Sequence, residues 1–250
     1  MRANTAGELT FEAILATLEA AHAGEQPVVE GLRDRKKRRL RQRISDVATA
    51  LFLAEGFDTV SVARIAAICD VSEQTVFNYF PTKESMFFDR IESSTDAMAA
   101  AIRSQTDASL GQIVLGVLFA DASLERPRGV EHADALRLFR RFCEVAQGSL
   151  TLRAAPYLEM ERFTDAVGRA LAQRVGKEPD DPDVILTAIV IAGLSHVRTQ
   201  ATYRRVQTMS SMAAVHRAVQ ADVMQAVRIA TPALEAFARA TETSAAADER

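Results

Sequence analysis

The stretch that decides the fold is residues 40–88, LRQRISDVATALFLAEGFDTVSVARIAAICDVSEQTVFNYFPTKESMFF. Its apolar residues recur at steps of three and four, the spacing that places side chains on one face of an α-helix. The first predicted helix runs from about Lys37 to Glu55 and ends at Gly56, because glycine is common just after a helix C-terminus. Alternating β-branched segments typical of strands are missing from the sequence. The pattern therefore predicts an all-α protein.

Two shorter helices follow the first one and are joined by a tight turn. Ser61 is the predicted N-cap of one helix, and Ser72 is the predicted N-cap of the other, which ends at about Phe80. A long helix followed by two short helices around a tight turn is the helix-turn-helix arrangement that binds DNA. The side chains expected to face solvent on the last helix are Glu73, Gln74, Thr75, Phe77 and Asn78.

Residues 40–88 resemble the DNA-binding domain of the TetR family of transcriptional regulators. The matching elements are an alanine-rich first helix and, in order, Leu51-Phe52, Gly56-Phe57, Ser61-Val62, Ile65-Ala66, Val71-Ser72, Thr75, Tyr79-Phe80 and Lys83-Glu84. The resemblance implies an N-terminal three-helix helix-turn-helix domain followed by a larger antiparallel helical domain for ligand binding and dimerisation. We expect a flexible leader at 1–32, the DNA-binding domain at 33–84, the larger domain at 85–240 and a disordered tail at 241–250. The leader is expected to be partly disordered, with one marginal helix in the amphipathic stretch from Leu9 to Ala21.

The resemblance also assigns roles to side chains of the DNA-binding domain. In this family the last of the three helices reads the major groove. Base contacts are therefore expected from Gln74, Thr75 and Asn78. Phosphate contacts are expected from Ser61, Tyr79 and Lys83.

Two positions depart from the family pattern. Phe77 stands where the family often has tyrosine, so we expect an apolar contact with a thymine methyl group instead of a phenolic hydrogen bond. Cys69-Asp70 replaces the Ala-Gly pair that is usual in the turn. Aspartate tolerates left-handed backbone conformations, and so we expect the turn to be retained.

Basic residues are concentrated before the first helix. The segment from Arg33 to Arg43 reads RDRKKRRLRQR and carries a charge of +7, so that the rest of the chain carries −10 within a net charge of −3. Crowded like charges oppose helix formation, and we expect Arg33 to about Arg38 to be frayed and to bind phosphates or a minor groove. The expected DNA contacts of this arm are Arg35, Lys36, Lys37 and Arg38.

The larger domain is expected to hold a ligand and a second copy of the chain. An apolar ligand pocket is expected between the middle helices, lined by some of Phe119, Phe142, Tyr157, Phe163 and His196. Core packing is the default interpretation of the aromatic residues, and a core or interface position is that of His196. The family pairs through a four-helix bundle, which implies a homodimer formed by the last two long helices. Its expected interface residues are Ile189, Val215, Val219 and Val223.

The cysteine count and the apolar segments limit the compartments in which the protein is expected. The two cysteines, Cys69 and Cys143, are too few for a disulfide framework or a zinc site and favour a reducing compartment. Acidic residues interrupt the N-terminal apolar stretch, which argues against a signal peptide. The apolar run from Val184 to Val197 is shorter than the roughly 20 residues that span a bilayer. We therefore expect a cytoplasmic protein with no membrane partner.

These observations favour a ligand-responsive DNA-binding regulator. In this hypothesis the protein is a repressor that binds a palindromic operator in double-stranded DNA as a homodimer and is released by a small-molecule effector. The alternative is an architectural DNA-binding protein without effector control, which would need a uniformly basic surface. The sequence has no glycine-rich phosphate loop, nucleophile elbow or metal-binding histidine cluster. We therefore expect no catalytic residue, no metal and no cofactor.

Overall fold

The computed structural model describes residues 9–22, 31–89, 94–120 and 132–248, and the regular elements within these ranges are all helices. Their bounds are α1 (Phe11–His22), α2 (Leu32–Glu55), α3 (Val62–Cys69), α4 (Glu73–Tyr79), α5 (Lys83–Phe88), α6 (Ser94–Ser104), α7 (Leu110–Ala120), α8 (His132–Gly148), α9 (Leu150–Val175), α10 (Pro182–Thr208) and α11 (Met212–Asp248). The all-α class predicted from the sequence is confirmed.

The chain divides into two compact units. Unit 1 contains Met1–Arg90 and Arg126–Ala155, and unit 2 contains Ile91–Glu125 and Pro156–Arg250. Unit 1 therefore includes α8 and the first turn of α9 in addition to α1–α5. This division differs from the predicted boundary at residue 84, because a segment distant in sequence packs with the N-terminal helices.

Helix α8 is attached to the rest of unit 1 by ring stacking and by hydrogen bonds. The ring of Phe142 stacks on that of Phe87, with centroids 4.4 Å apart and planes 14° apart. Arg141 donates from Nε to the carbonyl oxygen of Leu53 over 2.7 Å, which satisfies a carbonyl in the last turn of α2. Because these partners are far apart in the sequence, helical periodicity could not reveal them.

Helix α2 forms the centre of unit 1. Its residues 44–53 are all buried, and α1, α3, α5 and α8 pack against it. The helix begins at Leu32, before the predicted start at about Lys37. The expectation that Arg33 to Arg38 are frayed is therefore wrong. Leucine, arginine and lysine are strong helix formers, and Asp34 lies in the first turn, where the helix dipole favours an acidic group.

Helix α1 packs on α2. Ile14 and Leu18 are 1% and 6% exposed, and Glu19 lies 3.9 Å from Arg43 of α2. The leader is thus helical over residues 11–22, close to the stretch where a marginal helix is expected, because a short amphipathic helix gains from tertiary packing the stability that its own propensity does not supply. Most of the other leader residues lie outside the described ranges.

In unit 2 the two longest described helices, α10 and α11, pack against each other and against α7. Arg205 of α10 donates from Nε and Nη2 to the carboxylate of Asp222 of α11 over 2.9 and 2.7 Å. Arg174 of α9 donates to four carbonyl groups around the end of α6, those of Ile102, Gln105, Thr106 and Ala108. Its guanidinium supplies donors to a helix end whose last carbonyls have no intrahelical partner.

Helix α10 is longer than the charge-free apolar run from Val184 to Val197. It has 27 residues and, by length and composition alone, is apolar enough to cross a membrane, so the length argument against a membrane span is wrong. Val184, Ala188 and Ile191 are nevertheless buried within unit 2. A buried core helix passes the same test of length and composition.

Helix α11 also extends further than expected. Proline usually ends or kinks a helix, yet α11 continues through Pro232 to Asp248. The disordered tail predicted at 241–250 is therefore wrong for residues 241–248. Alanine, the strongest helix former, is frequent in this segment and favours continuation of the helix.

Candidate nucleic-acid interface

The turn between α3 and α4 sets the direction of α4. Ser61 accepts through Oγ from the N–H of Arg64 over 3.2 Å, and Ser72 accepts through Oγ from the N–H of Thr75 over 3.1 Å. Both serines are N-caps, as predicted. Asp70 ends α3 with φ at 56°, in the left-handed region that aspartate tolerates better than most residues. The turn is therefore retained although aspartate stands in place of glycine.

Helix α4 has a buried side and an exposed side. Val76 and Phe80 are 0% and 1% exposed, which fixes this side against the core of unit 1. Gln74, Phe77 and Asn78 are exposed. Gln74 donates from Nε2 to Oδ1 of Asn78 over 3.3 Å, so two amides one helical turn apart form a pair. Each amide keeps a further donor or acceptor that can reach a base edge.

The other predicted contact residues of α4 flank this amide pair. Phe77 exposes 40% of its surface and thus presents an apolar ring to solvent. Thr75 and Tyr79 are half-buried. The hydroxyl groups of Thr75 and Ser72 share a hydrogen bond of 2.8 Å. Thr75 therefore takes part in the cap of α4 in addition to the base contact predicted for it.

Lys83 has structural partners that the sequence did not reveal. It donates from Nζ to the carbonyl oxygens of Phe57 and Val60 over 3.0 and 3.1 Å, and Nζ lies 4.1 Å from the centroid of the Phe57 ring. An ammonium group has three N–H donors, so these two bonds leave one donor for a phosphate. Lys83 ties the start of α5 to the loop between α2 and α3, and its phosphate contact stays a prediction.

Arg41 and Asp89 form a cluster that fixes the end of α5. Arg41 donates to both carboxylate oxygens of Asp89, and its guanidinium carbon lies 4.7 Å from the centroid of the Phe80 ring. Ser45 donates from Oγ to the same carboxylate over 2.7 Å. Arg41 belongs to the basic segment but is held within unit 1. No local signal reveals this cluster, because Arg41 and Asp89 are 48 positions apart.

The predicted arm contacts lie on the exposed start of α2. Arg35, Lys36, Lys37 and Arg38 are all exposed. They project from a helix, not from a frayed arm, and successive side chains point about 100° apart around its axis. Unit 1 therefore carries two exposed polar surfaces, the outer side of α4 and the basic start of α2.

The residues predicted to line a ligand pocket do not all lie in one unit. Phe142 belongs to unit 1, where it packs in the aromatic cluster of α5 and α8. Phe119, Phe163 and His196 belong to unit 2. Phe163 is buried, whereas His196 is exposed on α10. The side chain of Tyr157 lies outside the described residues.

The residues predicted at a dimer interface fall into two groups. Ile189 is 52% exposed and shares one side of α10 with exposed Ile185 and Leu186, a set that we call the α10 apolar face. The valine stripe of α11 consists of Val215, Val219 and Val223, which are 0%, 2% and 0% exposed. The valine stripe faces the interior of unit 2. Its assignment to a surface between two copies is therefore wrong.

The chain is similar to known regulators over the DNA-binding region and beyond it. Residues 44–89 match the family model of bacterial regulatory proteins, tetR family. The HTH-type transcriptional regulator TcmR of Streptomyces glaucescens is 32% identical over 160 residues, which cover 60% of this chain and 67% of TcmR. MftR of Mycobacterium tuberculosis, named as a transcriptional regulator of mycofactocin biosynthesis, is 23% identical over 139 residues, which cover 55% of this chain and 67% of MftR.

A solved structure is also similar. The crystal structure of a protein from Mesorhizobium loti, named as a TetR-family transcriptional regulator, matches with a TM-score of 0.43 at 22% identity and covers 80% of this chain and 98% of that chain. The family model covers α3–α5 and the second half of α2, and so includes the exposed side of α4 but not the basic start of α2. Similarity to TcmR extends over about two thirds of that protein. The chain belongs to the TetR family of bacterial transcriptional regulators.

Proposed function

We propose that this chain is a ligand-responsive repressor that binds a palindromic operator as a homodimer and is released by a small-molecule effector. The observation that carries the DNA-reading part is the amide pair of Gln74 and Asn78 on the exposed side of α4. Glutamine and asparagine amides can bond to adenine in the major groove through two hydrogen bonds, whereas charge attraction alone reads no sequence. Phe77 lies on the same helix and can contact a thymine methyl group.

Dimerisation through the α10 apolar face would cover a surface that the chain leaves open. Ile185, Leu186 and Ile189 lie within two helical turns of one another and are 44%, 59% and 52% exposed. Large exposed apolar patches commonly mark protein interfaces. Met224 and Ile229 add exposed apolar side chains on α11. A two-fold dimer matches a palindromic operator whose half-sites lie one DNA turn, about 34–36 Å, apart.

The effector site is proposed within unit 2. Phe119 and Phe163 remain candidates for its wall, together with Tyr157. Phe142 is not part of this proposed site because its ring packs in unit 1, and His196 is not part of it because it lies on an exposed side of α10. We also place the protein in the cytoplasm and assign it no catalytic role, since the relatives TcmR and MftR are named as transcriptional regulators.

Selection of bound sequences from random double-stranded DNA tests the proposed function. The protein should enrich a palindromic site. Gln74→Ala or Asn78→Ala should then weaken binding to that site by about 1–3 kcal/mol for each base contact with two hydrogen bonds, with little change on non-specific DNA. Gln147→Ala is the matched control, because Gln147 is exposed on α8 of the same unit. Wild-type affinity of both α4 variants would show that this side of α4 does not read bases.

The same selection separates the repressor from an architectural DNA-binding protein. A repressor should prefer its site over other sequences by about a thousandfold or more, whereas an architectural protein shows little preference. The charge of −10 outside the basic segment favours the repressor, because a protein that coats DNA needs a broadly basic surface.

A further inference from the structure

Residues 32–39 at the start of α2, which we call the basic extension, project from the packed part of unit 1. Every residue of the extension is exposed, whereas the buried part of the same helix begins at Ile44. The extension is thus continuous with a helix that is held at its other end by the core of unit 1. Its direction is set by that core.

The charge of the basic extension is distributed around the whole helix. Six of its eight residues are Arg or Lys and one is Asp, a net charge of +5. At about 100° per residue these cations point to every side, and Leu32 is the single apolar residue. A helix that lies on a membrane or packs on a protein needs an apolar face, which the extension lacks. Its chemistry fits a polyanion.

The extension begins close to the end of the DNA-reading helix. Arg41 lies over the ring of Phe80, the residue that ends α4, and Arg43 donates from Nη2 to the carbonyl oxygen of Ile68 over 3.5 Å. From Arg41 the helix continues to Arg33 for about 12 Å, which equals roughly three to four base-pair rises along the DNA axis. The extension thus ends less than one helical turn before Arg41, the residue that contacts the end of α4.

We propose that the basic extension is a second DNA-binding surface, a preformed helix that contacts phosphates next to the bases read by α4. This inference rests on the proposed function and deepens it, since it names how the same DNA is held outside the reading helix. The extension adds affinity and salt dependence without adding sequence preference, because phosphates carry no base identity.

The first test removes charge from the extension. Lys36→Gln/Lys37→Gln is compared with Arg103→Gln/Arg169→Gln, which removes the same charge from exposed positions in unit 2. Affinity for the selected operator is measured across salt concentrations by fluorescence anisotropy. Each lost phosphate contact should lower the slope of log affinity against log salt by about 0.9. We expect the extension variant to lose one or two phosphate contacts per subunit, each lowering the slope by about 0.9. The control should keep the wild-type slope.

The outcomes separate this inference from the proposed function. If the wild-type protein enriches no DNA site, the proposed function fails. If it enriches a site and Lys36→Gln/Lys37→Gln keeps the full salt slope, the extension does not bind DNA and only this inference fails. A changed site preference in that variant would also overturn the inference, because it would show base reading by the extension.

The second test asks whether the extension acts as a helix. Lys37→Pro and Lys37→Ala remove the same charge, but proline interrupts the helix and disconnects the residues before it from the core. We expect Lys37→Pro to weaken operator binding about tenfold more than Lys37→Ala, with near-normal circular dichroism because most helices are unaffected. Equal affinities of the two variants would show that a flexible arm suffices and would overturn the preformed helix.

Discussion

Helices α10 and α11 both carry apolar residues that are predicted from the sequence to form a dimer interface, but in the structure the two sets differ in exposure. The valine stripe of α11 is buried inside unit 2, whereas the α10 apolar face is exposed. Periodicity shows that a face must be covered; it does not show whether the cover is the same chain or a second copy. The difference between the two faces separates residues that hold the fold from residues available to a partner.

A charge in the valine stripe should have the largest effect. Val219→Arg places a cation at a position that is 2% exposed, where no solvent is available to it. An unpaired buried charge costs about 3–5 kcal/mol, a large part of the stability of a typical domain. We expect loss of the cooperative unfolding transition of unit 2, measured by thermal denaturation followed by circular dichroism.

Val219→Ala is the companion variant at the same position. It removes two methyl groups without adding charge, and we expect a stability loss of about 1–2 kcal/mol with the fold retained. If Val219→Arg unfolds at the wild-type temperature, the valine stripe is not part of the core.

A charge in the α10 apolar face should act on association and not on folding. Ile189 is 52% exposed, so Ile189→Arg should change the free energy of unfolding of the monomer by no more than about 0.5 kcal/mol. At the centre of an interface the same change should weaken the dimer by at least about 2 kcal/mol, roughly thirtyfold in Kd. Sedimentation equilibrium measures this Kd.

Gln173→Arg controls for the added charge. Gln173 is exposed on α9 in the same unit, away from the α10 apolar face in sequence. We expect this variant to dimerise with the wild-type Kd. Wild-type dimerisation of Ile189→Arg would place the dimer interface elsewhere.

The helix-turn-helix part of the fold could be predicted from sequence because its signals are local. Ser61 and Ser72 cap the helices that they precede, and Val76 and Phe80 face inward, as spacing indicates. The start of α2 at Leu32 differs from the predicted start at about Lys37, because the helix propensity of arginine and lysine outweighs the repulsion between their charges.

The parts of the site that could not be predicted depend on contacts between distant residues. Lys83 has a phosphate-binding residue type, but its bonds to the carbonyls of Phe57 and Val60 arise only when α5 packs against the loop after α2. The residue type and spacing of Phe142 are compatible with a pocket wall, but in the structure its ring stacks on that of Phe87. Residue type and helical spacing carry no information on such partners.

Loss of the ion pair between α10 and α11 should change the free energy of unfolding by less than Val219→Arg does, and by less than Ile189→Arg changes the free energy of dimerisation. The two hydrogen bonds from Arg205 hold the pKa of Asp222 below its ordinary value. A lowered carboxyl pKa stabilises the fold above the ordinary aspartate value of about 3.9, and that stabilisation is lost as the pH falls through the pKa of the folded state. Because the Arg205 side chain is 38% exposed, solvent screening limits the contribution to about 0.2–1 kcal/mol.

Asp222→Asn should therefore lower the free energy of unfolding at pH 7 by up to about 1 kcal/mol, and the difference from wild type should shrink as the pH falls below about 4. Urea unfolding at pH 7, 5 and 3 measures both quantities. Asp165→Asn removes the same charge from an exposed position of α9 and should match the wild type across this range.

The Arg205–Asp222 pair connects to α11 the end of α10 that lies farthest along the chain from the α10 apolar face. Asp222→Asn should consequently leave the dimer Kd unchanged, and a change in Kd comparable to that of Ile189→Arg would show that the ion pair orients the interface as well as the core.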